Sequence, residues 1–130
     1  MKKIKFDKAA DVLGEDVLEE LLEEVSIEPN MCHKNAALVG LWLEEYGFEV
    51  YFNAGYVGNP CLASTHSFNR VVVDGKSYFI DLTAEKVWAH ASPVFYDGNE
   101  YDIDYIIDLF NEHEWCDSPI GAYYSKILTA

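Results

Sequence analysis

The dipeptide Asp74-Gly75 sits between two alternating runs, HSFNRVVV before it and KSYFIDLT after it. An Asp-Gly pair in that setting specifies a two-residue hairpin turn, whose backbone these two residue types tolerate. With Asp74 and Gly75 in the turn, Val73 faces Lys76 and the rest of the register follows. Asp81 then falls opposite Phe68, and Thr83 opposite His66. Side chains two apart along a strand share a face, so His66, Phe68 and Asp81 lie together. His66 and Asp81 become diagonal neighbours across the hairpin. A slip of one residue would undo the arrangement.

Upstream, EDVLEELLEEV (15–25) carries Val17, Leu18, Leu21, Leu22 and Val25 on one helical face, with glutamates on a solvated opposite face. Pro29 disfavours helix at Glu28, and Asn30 has the chemistry of an N-cap, so a second helix is predicted from Met31 to Tyr46. Cys32, Ala36, Val39, Leu43 and Tyr46 form its apolar stripe, and Gly47 stops it. FEVYFNAGYV (48–57) reads as a strand and GNPCLAST (58–65) as a loop. VWAHASPVFYDGNEYD reads as irregular or weak strand, and YDIDYIIDLFNEHEW as an amphipathic helix. CDSPIGAYYSKILTA reads as a final strand or docked tail. At 130 residues this is one domain, 1–130, of the α+β class, with an antiparallel sheet packed against an N-terminal helix carrying the cysteine.

The hairpin pair gives that cysteine a chemical use. A carboxylate beside an imidazole fixes its tautomer and stabilises the imidazolium. The other ring nitrogen is then placed to take a proton from a thiol. A thiol in the first turn of a helix is already biased towards thiolate by the helix dipole and the unpaired N–H groups. Cys32, His66 and Asp81 thus supply nucleophile, base and orienter. Cys32, His33 and His66 do not match a zinc-ligand spacing, because adjacent residues on a helix point apart. Cys61 either lines the site or is incidental, and His90 and His113 have no partner in this reading. Trp42, Trp88 and Trp115 read as core or pocket wall. No phosphate-binding glycine loop occurs.

Two segments resemble the transglutaminase-like superfamily. CHKNAALVGLWLEEYGFEVYFNAGYV is similar to its nucleophile helix and following strand, and HSFNRVVVDGKSYFIDLT to its histidine–aspartate segment. The likeness runs from about Asn30 to Thr83, less than half the chain. It implies a papain-like fold and acyl transfer through a thioester, with Cys32 as nucleophile, His66 as base and Asp81 as orienting acid. The family includes transglutaminases, deamidases and small cysteine peptidases. Phe68 stands where the family usually has Trp. Papain-like enzymes often carry an oxyanion donor such as Gln several residues before the cysteine, and here position 26 is Ser. The Cys32 backbone N–H and Asn30 are the candidate donors; if Asn30 serves only as a helix cap, the oxyanion hole is incomplete.

Composition limits the partners. Asp and Glu number 23 against 9 Lys and Arg, a formal net charge of −14, which repels nucleic acid and anionic membrane surfaces and favours a basic peptide or protein. MKKIKF is followed by DKAADVLGED and not by an apolar run, which argues against a secretory signal, and no stretch has the length of a membrane span. Three cysteines at irregular spacing point to reduced thiols in a cytoplasm. The expectation is a cytoplasmic cysteine-dependent enzyme acting on a peptide or protein amide, with no cofactor. Hydrolysis or deamidation suits so small a domain better than crosslinking. The rival from another class is a catalytically inactive acidic binding or inhibitor protein on the same fold, of immunity or phage-decoy type.

Overall fold

The computed structural model describes residues 2–29, 31–57, 64–88 and 94–115. In chain order its elements are β1 (Lys2–Ile4), α1 (Ala9–Leu13), α2 (Glu15–Glu24), α3 (Cys32–Tyr46), β2 (Glu49–Val57), β3 (Ser64–Val73), β4 (Lys76–Ile80), α4 (Leu82–Trp88), β5 (Val94–Asp102) and α5 (Ile103–Glu112). The strands form one five-stranded sheet in the order β1-β5-β2-β3-β4, with every neighbouring pair antiparallel. The class is mixed α+β.

The turn residues Asp74 and Gly75 have φ of 53° and 78°. Both lie in the left-handed region that a two-residue hairpin turn requires. Val73 faces Lys76, Val71 faces Tyr78 and Asn69 faces Ile80, the register expected from the turn. The strand stops short of its expected end, however. Asp81 leaves the ladder, its Oδ1 accepts the Ala84 N–H at 3.0 Å, and its carbonyl accepts the Glu85 N–H at 3.0 Å. Asp81 is therefore the N-cap of α4. Leu82 and Thr83 are helical, and the expected pairing of His66 with Thr83 does not form.

Of the stretch 87–102, read as irregular or weak strand, Val87 and Trp88 end α4 and Val94–Asp102 form β5, an interior strand between β1 and β2, while residues 89–93 lie outside the described residues. Gly55 explains the tight fit there. A Cβ at that position would stand 2.3 Å from the Asp97 carbonyl oxygen and 2.5 Å from the Gly98 Cα, so only glycine admits β5.

Helix α3 lies on one face of the sheet. Ala36, Val39 and Leu43 join Val50, Phe52, Ala54, Val71 and Ile80, and α5 closes the cluster with Ile103, Ile106 and Phe110. Gly40 permits the α3–α5 contact, since a Cβ there would meet Ile103 Cδ1 at 2.3 Å. Trp42 and Trp115 pack against this core, and the Trp88 side chain lies outside the described residues. Tyr46 departs from its expected place in the stripe. It is 51% exposed because its ring lies along Trp42 and Phe48 instead of the core. On the other face Phe68 packs edge-on against Phe6 and Phe79, with ring centroids 5.0 and 5.7 Å apart. Arg70 of β3 reaches across β2 to Glu100 of β5 with two hydrogen bonds of 2.8 Å, and lies over the Tyr51 ring.

Candidate functional site

Cys32 is the first residue of α3 and is partly buried. The N-cap is Met31, with φ −124° and no side-chain capping bond; Asn30, expected to cap, lies outside the described residues. The first helical bond runs from the Asn35 N–H to the Met31 carbonyl at 2.8 Å. The N–H groups of Cys32, His33 and Lys34 thus precede the helical ladder, and the positive end of the dipole falls at the thiol.

His66 reaches this helix end because β3 outruns β4. Ile80 is the last residue of β4, opposite Asn69, so no β4 residue stands beside His66. Its ring shares a face with Phe68 at a centroid separation of 6.4 Å, as the hairpin register requires. His66 Nε2 is hydrogen-bonded to Asp81 Oδ2, and both side chains are buried. One aspartate therefore serves two tasks, with Oδ1 capping α4 and Oδ2 holding the imidazole.

The Cys32 thiol hydrogen-bonds with the side chains of both His66 and His33. Burial pushes the thiol pKa up, but the hydrogen bonds and positive charge of His33 and His66 more than reverse this, lowering it from 9.0 to about 6. For His66, burial favours the neutral ring. Asp81 and Cys32 overcome that and raise its pKa from 6.5 to about 10. Between these two values the stable form is a thiolate beside an imidazolium.

The sequence expectation that His33 points away from the thiol is not met. His33 is 3% exposed and its Nδ1 contacts Ser67 Oγ at 2.6 Å, so the ring turns back against the sheet beside the cysteine. Nothing local signals this, because Ser67 comes from a strand 34 residues away.

Asn35 was also missed. It is buried in the middle of the first helical turns, and its side chain accepts from the Glu28 N–H at 3.2 Å. It also donates to the Glu28 carbonyl at 2.8 Å and to Thr83 Oγ1 at 3.0 Å. The amide holds the segment before Cys32 against α3 and α4. A helical asparagine is a poor helix former, and that local conflict was the available signal. Its amide is spent on these bonds.

Cys61, Cys116 and His90 lie outside the described residues, and His113 ends α5. Among the described residues no group of His, Cys, Asp and Glu is arranged to hold a metal ion, and no helix is long and apolar enough to cross a membrane. No protein-family model, curated protein or solved structure matches the chain.

Proposed function

We propose that the protein is a cysteine-dependent acyl-transfer enzyme of transglutaminase-like, papain-type architecture, acting on a peptide or protein amide. The observation that supports this most is the chain of contacts Cys32–His66–Asp81 at an uncapped helix N-terminus. In this reading the Cys32 thiolate bonds to the amide carbonyl carbon, and the backbone N–H groups of the helix end receive the developing oxyanion. The C–N bond then breaks as His66 delivers its proton to the leaving nitrogen, and a thioester remains on Cys32. Water attacks the thioester, gives a proton to His66, and releases the acid with the thiolate restored. An amine in place of water would give transamidation; hydrolysis or deamidation is the assignment we favour for a chain of this size. No step calls on a cofactor. The charge of −14 suits a basic substrate and opposes nucleic acid and membrane partners, and a reducing cytoplasm suits a free nucleophilic thiol.

The test uses p-nitrophenyl acetate as acyl donor and a mixed peptide digest as amide source. The native protein gives a stoichiometric burst of nitrophenolate, an acetyl adduct on Cys32, and cleaved or deamidated peptides. Cys32→Ala gives none of these while its circular dichroism is unchanged. Full turnover in a folded Cys32→Ala variant would sink the proposal.

A second reading is favoured by a separate observation. Glu20, Glu23, Glu24 and Glu45 surround Trp42 and Tyr46 in an open cleft of about 330 Å³, which suits the rival function of binding a basic protein. In that case Cys32 is inert to iodoacetamide at pH 6, whereas the enzyme reading requires a reactive one.

A further inference from the structure

Two buried imidazoles meet the Cys32 thiol, and each has its far side engaged differently. His66 is backed by the Asp81 carboxylate, which suits a ring that takes up and delivers a proton. His33 is backed by the Ser67 hydroxyl at 2.6 Å, with His33 3% and Ser67 1% exposed. With Nδ1 engaged by Ser67, Nε2 is the ring's second polar atom, and a ring protonated there presents an N–H. An aliphatic residue at position 33 would fill the same space. A buried imidazole on a buried serine, next to a nucleophile, is a costly arrangement unless the ring has a polar task.

We propose that His33, oriented by Ser67, is a second catalytic histidine that donates a hydrogen bond to the Cys32 thiolate, separate from the proton-carrying His66. This deepens the acyl-transfer reading and rests on it for the word catalytic. The division of labour follows from the geometry. His66 moves the proton, and His33 shares the sulfur anion with it in the resting ion pair and again as the thiolate leaves the acyl group. Without His33 the thiolate would have only one side-chain partner.

The charged groups around the thiol come from each packed element. His33 and Lys34 belong to α3, and His66 to β3. Asp81 and Glu85 come from the start of α4, and Glu28, 3.8 Å from Lys34, from the preceding segment. The thiol is acted on by His33 and His66, while Asp81 acts through His66.

The experiment measures the rate of iodoacetamide alkylation of Cys32 from pH 4.5 to 10, read on the Cys32 peptide by mass spectrometry so that Cys61 and Cys116 do not contribute. The native protein inflects near pH 6. His33→Phe, which keeps the bulk and removes the donor, raises the inflection by about one pH unit. His33→Gln keeps an N–H donor and restores much of the low value, which a purely space-filling role would not. If His33→Phe does not fold, Ser67→Ala carries the test alone and moves the inflection in the same direction. An inflection that stays put or falls in the folded variant overturns the proposal. Turnover is not read in this assay. A thiol that responds to His33 in a protein that acylates on no donor would keep the hydrogen bond and sink the enzyme reading.

Discussion

The two ends of α3 resolve the same physical problem in opposite ways. At the C-terminal end Gly47 takes φ of 119°, its N–H returns to the Leu43 and Glu44 carbonyls at 3.1 Å, and the Phe48 N–H bonds Leu43 at 2.9 Å. The backbone closes itself, and the end is purely structural. At the N-terminal end the N-cap Met31 makes no side-chain bond, and the Cys32 thiol lies in the first turn beside two histidines. The helix start thus lacks a capping interaction worth about 1 kcal/mol, and its dipole favours negative charge on the thiol in its first turn. Side-chain caps are likewise absent at the starts of α1, α2 and α5, so what sets the start of α3 apart is the thiol beside two histidines and not the missing cap.

The comparison is broken most severely through Asp81, which supports the open end from outside. Asp81→Asn keeps a side chain able to cap α4 but removes the charge behind His66, so acyl turnover falls by about 10²–10⁴-fold. Asp81→Ala removes both, and is less stable than Asp81→Asn by about 1 kcal/mol in urea melts. Equal stabilities of the two variants would show that the cap at Ala84 contributes nothing.

A second effect is pH dependence confined to the open end. Turnover rises as pH passes about 6, where Cys32 ionises, and declines as it passes about 10, where His66 loses its proton. Stability follows the same window. His66 is raised above its ordinary 6.5, so its contribution is complete below that value and disappears as pH climbs through about 10. Cys32 is lowered from 9.0, so its contribution is present above that value and disappears as pH falls through about 6. A single turnover inflection at the ordinary thiol value would contradict the ion pair.

The smallest effect belongs to the closed end. Gly47→Ala imposes a left-handed conformation on an alanine and costs about 1–2 kcal/mol of stability. The Cys32 alkylation profile should not move. A shift there would mean that the two ends are coupled through the helix.

Much of this arrangement is legible in the chain. Asp74-Gly75 fixes the register of β3 on β4 as far as Asn69 and Ile80, and so brings Asp81 near His66, although Asp81 itself turns out of the ladder and meets the ring from the start of α4. The apolar period found α2 and α5, and Gly47 marked the end of α3. What escaped was set by distant partners. Helix α4 has seven residues, too few for a period to show, and starts where Asp81 turns out of the sheet. Strand β5 holds an Asp-Gly pair that reads as a break. It pairs through that point because Gly98 faces Gly55, where a Cβ would meet the β5 backbone at 2.3 Å. β1 is three residues long and is recognisable only once β5 is present to pair with it. The inward turn of His33 has no local signal because Ser67, which holds it, is remote in sequence.

The bonds that hold the site also differ in how much chain they enclose. Asn35 ties the nucleophile segment to Glu28 across 7 residues, and His66 meets Asp81 across 15. The bonds between the two halves are the long ones, His33 with Ser67 across 34 and Asn35 with Thr83 across 48. The cysteine half and the histidine–aspartate half each close over a short loop, at a low entropy cost and on the time scale of a helix turn or a hairpin. Assembly of the site is then a single long-range docking of two parts already shaped, and the orientation of each part is inherited from its own local turn.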